Sequence, residues 1–148
     1  HIADYSRPFP GAEQALAQLS GQGLKLAVCT NKPEALARQL LDALGWSDRF
    51  LAVKGSDSQP WRKPDPRHLT GTLAAAGGQA CIFVGDSRTD ADAAVAAEVP
   101  LVMVSFGYST EPVAEMPAAC LIHDFAELIP AIAAIQSGFT APAYQVQA

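Results

Sequence analysis

A chain of 148 residues with 49% hydrophobic and 17% charged residues holds enough apolar side chain for one packed core and is globular rather than disordered. Ten lysines and arginines stand against fifteen aspartates and glutamates, a net charge of -5 with no basic stripe, which excludes a nucleic-acid-binding surface. No apolar run approaches the roughly 18 residues needed to span a bilayer, and no charged-then-apolar leader precedes the core, so no membrane partner is expected.

In chain order, residues 1–10 read as a linker. They run into "SRPFPG" (Ser6–Gly11), stiff with proline, ahead of a core expected over 11–136. Ala12, Ala15, Leu16 and Leu19 share one helical face. "LKLAVCT" (Leu24–Thr30) follows a turn signal and is a short apolar run, the mark of a parallel strand buried on both faces. Leu36, Leu40 and Leu44 then recur every four residues and predict a second helix. Phe50–Val53 is a weaker strand. A helix is expected over 66–76, opened by Asp65 as cap and Pro66 as first residue. "ACIFVG" (Ala80–Gly85) is a strand, 89–97 a helix, and "PLVMVS" (Pro100–Ser105) another strand. Phe125, Leu128, Ile129 and Ile132 fall at offsets 0, 3, 4 and 7 and predict the last helix. Residues 137–148 lack periodicity and read as a loose tail. Strands alternating with helices imply right-handed βαβ units and a Rossmann-like α/β fold with a parallel sheet.

The cysteines, Cys29, Cys81 and Cys120, are odd in number and show no metal-ligand spacing. Cys29 and Cys81 sit in apolar runs as core thiols, so a reducing, cytoplasmic setting is expected.

Open α/β sheets bind ligands beyond the carboxyl ends of their strands, so the residues after each apolar run carry the interest. Thr30 and Asn31 follow the first strand and precede a helix. A hydroxyl and free N–H groups there suit an anion, although ordinary capping explains them equally. Lys63, in "QPWRKPDPRHL", is backed by two prolines. It is either a solvated surface lysine or a point charge aimed at a phosphoryl group. In "GDSRTDADAA", Ser87 and Asp90 approach a capping box, and Asp90 and Asp92 suit the positive end of a helix dipole. Asp86 lies before the cap and is the candidate ligand for Mg²⁺, which favours one or two carboxylates, water and substrate phosphate. His68 and His123 lack a partner pattern and read as structural or surface residues. Neither a G-x-x-x-x-G-K-[ST] loop nor a G-x-G-x-x-G fingerprint is present.

Taken together, "VCTN", "RKPDP" and "VGDSRTDAD" resemble, in order and spacing, three motifs of the haloacid dehalogenase superfamily of phosphohydrolases. The surrounding "RPFPG", "LKLAVCTNKPEAL" and "GDSRTDADAA" are most similar to its phosphoglycolate phosphatases. The resemblance covers roughly 6–136 and implies a three-layer α/β/α core. It also implies Mg²⁺-dependent hydrolysis of a small phosphorylated metabolite, 2-phosphoglycolate first, through an aspartyl-phosphate. Carried across, Thr30 and the backbone of Asn31 bind phosphoryl oxygens and Lys63 neutralises nucleophile and phosphoryl group. Asp86 binds Mg²⁺ directly, and Asp90 binds it through water or holds Lys63 in place.

The superfamily's first motif, D-x-D-G-T, is absent from these residues, as is the helical cap domain that follows it. Asp4 has no apolar strand before it and does not take the nucleophile's place. The resemblance places the missing strand centrally, between Leu24–Thr30 and Ala80–Gly85. The chain is therefore expected to be part of a longer protein and inactive alone. The vacant position is expected either to close, or to be filled by the amino-terminal segment or by another chain, such as a dimer partner. A non-catalytic phosphate- or Mg²⁺-binding module, a phosphosugar mutase and a phosphonate hydrolase are the alternative readings.

Overall fold

The three strongest strands share one pattern: apolar side chains at consecutive positions, pointing alternately to two faces. The structure, a computed structural model, describes residues 11–107 and 112–137 and the backbone of 144–147. Its elements in order are α1 (Ala12–Gly21), β1 (Lys25–Cys29), α2 (Glu34–Leu44), β2 (Phe50–Lys54), α3 (Pro66–Ala75), β3 (Cys81–Gly85), α4 (Arg88–Ala97), β4 (Leu101–Val104), β5 (Cys120–Ile122), α5 (Leu128–Gln136) and β6 (Tyr144–Gln147). Leu26 and Val28 of β1, Ile82 and Val84 of β3, and Val102 and Val104 of β4 turn to one face and pack with α1, α2 and α5. Cys29, Cys81, Phe83, Leu101 and Met103 turn to the other and meet Leu69 of α3 and Ala91 and Ala94 of α4. The period-two alternation thus builds two cores, one on each side of a parallel sheet, in three layers.

Cys29 and Cys81 are free thiols buried in the second core, and Cys120 is half-buried. Burial pushes the Cys81 thiol up to about 12, which leaves it protonated and inert. No helix among the described residues is long and apolar enough to cross a membrane.

The second helix buries Ala37 and Leu41 rather than Leu36, which is 39% exposed. The core-facing stripe thus runs one position after the leucines at 36 and 40, while Leu44 still packs against the core from its edge. The last helix starts as a 3₁₀ turn, Phe125–Glu127, whose cap Asp124 forms a reciprocal capping box with Glu127. At three residues, β5 is too short to leave a periodic signal.

The sheet order is β2-β1-β6-β3-β4-β5, every pair parallel. β1 and β3 do not close on one another. Residues 144–147, expected in a loose tail, lie between them as β6: Tyr144 pairs with both Lys25 and Cys81, and Val146 with both Ala27 and Phe83. The filler is the chain's carboxyl-terminal segment, neither its amino-terminal one nor a partner chain. The physical reason is that two apolar strands each turn a row of N–H and C=O groups into the same slot, and such groups need partners. The linker expected over 1–10, with Asp4, lies outside the described residues, as do 138–143 and 148 of the expected tail.

Deleting residues 138–148 should therefore lower the thermal midpoint and strip amide-exchange protection from β1 and β3, while β5 keeps more of its own. Unchanged protection in β1 and β3 would rule out β6 as their partner.

Candidate functional site

With all strands parallel, their carboxyl ends share one edge of the sheet. Three segments meet there: Thr30 and Asn31 after β1, the β2–α3 connection carrying Lys63, and the β3–α4 turn carrying Asp86 and Asp90. Pro33 stands one residue before α2. Asp65 caps α3 by accepting from the Arg67 N–H at 2.9 Å, and Pro66 takes the first helical position. The Arg67 guanidinium holds the Asp65 carboxyl down to about 2. It also stacks on Trp61, 4.9 Å from the ring centre. These exposed contacts fix the exit of the loop just beyond Lys63.

Lys63 is buried, so it is not a solvated surface lysine. Its Nζ donates to Asp90 Oδ1 at 2.7 Å and to the Cys29 carbonyl at 2.9 Å, and lies 5.1 Å from the centre of the Phe83 ring. The two side chains are 4% and 3% exposed. Its main chain is gripped as well. Asn31 Nδ2 donates to the Lys63 carbonyl at 2.9 Å, and the Lys63 N–H donates to Asn31 Oδ1 at 3.1 Å and to His68 Nδ1 at 3.3 Å. The side chain of Asn31, expected only to lend its backbone to an anion, is therefore the tie between β1 and the Lys63 loop.

Asp90 uses both oxygens on protein groups. Beyond Lys63, its Oδ2 accepts from the Asp86 N–H at 2.9 Å and from Ser87 Oγ at 3.1 Å. Ser87 Oγ in turn accepts from the Asp90 N–H at 3.4 Å, so the helix start and the ion pair are one construction. Gly85 makes room for it: a Cβ there would stand 2.6 Å from Asp90 Cβ. Of the two roles the resemblance allowed, this geometry places Asp90 against Lys63. Asp92 is exposed on α4 and lies past its first turn, so Asp90 alone is the acidic residue at the helix start.

Asp86 is half-buried at the end of β3, where a Cβ on Gly107 would collide with its carboxylate, so the chain after β4 passes directly over it. Thr30 donates its N–H to the Lys54 carbonyl at 3.0 Å, and its Oγ1 accepts from the Lys32 N–H at 3.1 Å. Among the described residues, no three His, Cys, Asp or Glu side chains gather into a metal cage. As donor sets, Asp86 suits a hard cation that takes one or two carboxylates and completes its shell with water and phosphate. Asp90 has both oxygens engaged by protein groups.

His68 and the Cys29 carbonyl were not foreseen as members of this cluster. His68 is fully buried. Its sole signal is position: it faces inward from the first turn of the helix that begins beside Lys63. Burial, and then the Lys63 ammonium, hold its imidazole below the ordinary range. The Lys54 and Gly55 backbones pull the other way, and among the described residues Nε2 has no hydrogen-bond partner. His123 sits apart, its Nδ1 2.6 Å from Ser105 Oγ.

A family model described as haloacid dehalogenase-like hydrolase matches residues 1–98. A phosphoglycolate phosphatase of Mesorhizobium japonicum is 46% identical over 127 residues, 84% of this chain and 56% of the relative. One of Agrobacterium fabrum is 48% identical over 129 residues, 86% of this chain and 55% of the relative. Among solved structures, a "predicted phosphoglycolate phosphatase" from Haemophilus somnus superimposes with a TM-score of 0.82 at 32% identity, covering 87% of this chain and 59% of that one. CbbY from Rhodobacter sphaeroides, in complex with xylulose-(1,5)-bisphosphate, gives 0.71 at 25% identity, covering 81% and 55%. The chain spans little more than half the length of these relatives.

Removing one member of a buried ion pair strands the other charge. Asp90→Ala should cost about 3–5 kcal/mol of unfolding free energy, whereas Lys63→Met with Asp90→Leu should cost far less than the two single changes combined. Additive costs in denaturant titrations would show that the two charges do not depend on each other. The pH response follows from His68. Below an unfolded value near 6.5, the unfolded chain takes up a proton that the folded chain refuses, so stability falls as pH drops. The thermal midpoint should decline between pH 7.5 and 5.5, and His68→Asn should flatten most of that slope. A slope unchanged by the substitution would remove His68 as its source.

Proposed function

This chain belongs to the haloacid dehalogenase-like hydrolase family, and from that premise we propose that the whole protein hydrolyses a small phosphate monoester, 2-phosphoglycolate first, with Mg²⁺. The observation that carries the reading is the buried Lys63, held by Asp90 at the carboxyl edge of a parallel sheet beside Thr30 and Asp86. A lysine desolvated on this scale, with its main chain tied at both ends, is preorganised. It keeps its charge in one place and needs no rearrangement when negative charge develops nearby. The likeness to phosphoglycolate phosphatases supports the substrate class.

In this reading the D-x-D-G-T segment, supplied from outside these 148 residues, would take the place between β1 and β3 that β6 fills here, and its carboxylate oxygen attacks phosphorus as the P–O ester bond breaks. The departing alkoxide takes a proton from a neighbouring acid. Water then attacks the same phosphorus and frees phosphate and the carboxylate. Lys63 balances the charge of the carboxylate and the phosphoryl oxygens. With its oxygen already accepting from Lys32, the Thr30 hydroxyl offers its proton to a phosphoryl oxygen, and the Asn31 N–H faces the same anion. Asp86 would hold Mg²⁺, which would supply Lewis-acid stabilisation of phosphoryl charge. Asp90 keeps the Lys63 side chain aimed. The free core thiols suit a reducing, cytoplasmic setting.

The test is phosphate release from 2-phosphoglycolate and a panel of phosphoesters by the chain extended upstream to include D-x-D-G-T and the cap. Mg²⁺-dependent turnover is expected, lowered at least 100-fold by Lys63→Ala or Asp86→Ala, and absent from residues 1–148 alone. An extended protein that binds phosphate or Mg²⁺ but releases none would sink the enzyme reading in favour of a binding module. Turnover by the 148 residues alone would overturn the assignment of the nucleophile.

A further inference from the structure

The hydrogen bond between the Lys63 main chain and His68 has no counterpart in the chemistry described so far. His68 is the third residue of α3 and is fully buried, yet one of its two ring nitrogens, Nε2, is buried without a hydrogen-bond partner among the described residues. An imidazole kept for packing alone is a poor choice there. An apolar side chain of similar volume would fill the space without leaving a polar group unpaired. What an apolar side chain lacks is the lone pair at Nδ1, which accepts from the Lys63 N–H at 3.3 Å. That bond assigns the imidazole proton to Nε2.

The surroundings keep the ring in place. The His68 carbonyl accepts from Gln59 Nε2 at 3.1 Å and from Thr72 Oγ1 at 2.8 Å, and the His68 N–H donates to the Asp65 carbonyl at 3.2 Å. So the same helical turn that is tied to the β2–α3 loop at Gln59 also holds Lys63 from below. Asn31 grips the same N–H from the β1 side at 3.1 Å, but Asn31 is an exposed loop residue while His68 is buried on a helix. The buried anchor is the one that solvent cannot replace.

We propose that His68 is a positioning residue. By accepting from the Lys63 N–H it fixes the direction in which the Lys63 side chain leaves the backbone, and so the place of its ammonium between Asp90, the Cys29 carbonyl and the phosphoryl group. The proposal rests on the reading of Lys63 as the cation that faces substrate. It concerns transition-state placement, so its signature is in kcat more than in KM.

The experiment uses the full-length protein with two substitutions. His68→Leu keeps volume and removes the acceptor, while His68→Asn places Oδ1 close to where Nδ1 stood. Each is measured for kcat, KM and thermal midpoint, and for exchange of the Lys63 amide relative to that variant's own global stability. His68→Leu should lower kcat roughly 10- to 100-fold with KM changed less than about threefold, and should speed Lys63 amide exchange. His68→Asn should recover most of both. A purely structural histidine predicts otherwise: both variants lose stability, kcat per folded molecule is unchanged, and the Lys63 amide stays as protected as its neighbours. That result, or an equal loss in the two variants, overturns the proposal. If the unaltered protein hydrolyses no phosphoester, the functional reading fails by itself. The exchange of the Lys63 amide then decides alone whether His68 anchors it.

Discussion

Taking an ammonium and a carboxylate out of water costs several kcal/mol for each ion, and their attraction offsets this only when the geometry is good and the remaining polar sites are satisfied. The Lys63–Asp90 pair imposes that condition on everything around it. The second Asp90 oxygen is met by the Asp86 N–H and the Ser87 hydroxyl, and the ammonium by the Cys29 carbonyl and the face of Phe83. Gly85 is required because any side chain there would push Asp90 away. The helix cap, the strand-end glycine and the Cys29 carbonyl at the end of β1 all serve the burial of one pair of charges.

The fold makes the pair possible by geometry alone. Lys63 and Asp90 sit on connections that leave β2 and β3, and neither strand pairs with the other. A parallel sheet nonetheless delivers both connections to the same edge, and α3 and α4 pack side by side beneath it. The tie through Asn31 brings the β1 loop into the same unit. A rigid layer of helices and strands therefore holds a site whose members all lie on loops or first turns, where backbone groups are available to bind.

The sheet class, four of the strands and the positions of Thr30, Lys63, Asp86 and Asp90 were legible because each rests on a local signal: an apolar run, a proline-braced loop, an acidic turn. Lys63 also shows the limit of that reading. Its sequence surroundings, with charged and proline residues on both sides, describe an exposed loop equally well, and only tertiary contact with Asp90 separates the two. Asn31 was legible as a residue of the site but not in its action, because its side chain reaches 32 positions along the chain. His68 was passed over since a single histidine in the first turn of a helix carries no pattern of its own. β5 and β6 were missed for opposite reasons. β5 is too short for periodicity, and the residues of β6 alternate apolar and polar where a central parallel strand is usually apolar throughout.

The place of β6 bears on how the molecule acquires its shape. Within the sheet, β2 and β1 form one block and β3, β4 and β5 another, and among the described residues no ladder joins the blocks except through β6. Its partner in β1 lies almost at the other end of the chain, so the pairing that unites the sheet is also the one with the largest loop to close. Each block can gather helices of its own before that happens. Completion of the sheet is then a late, entropy-limited event, and until it occurs both blocks display an unpaired apolar strand edge. Whatever strand reaches that gap first, from within the molecule or from a neighbour, decides whether the chain folds as a unit or joins another.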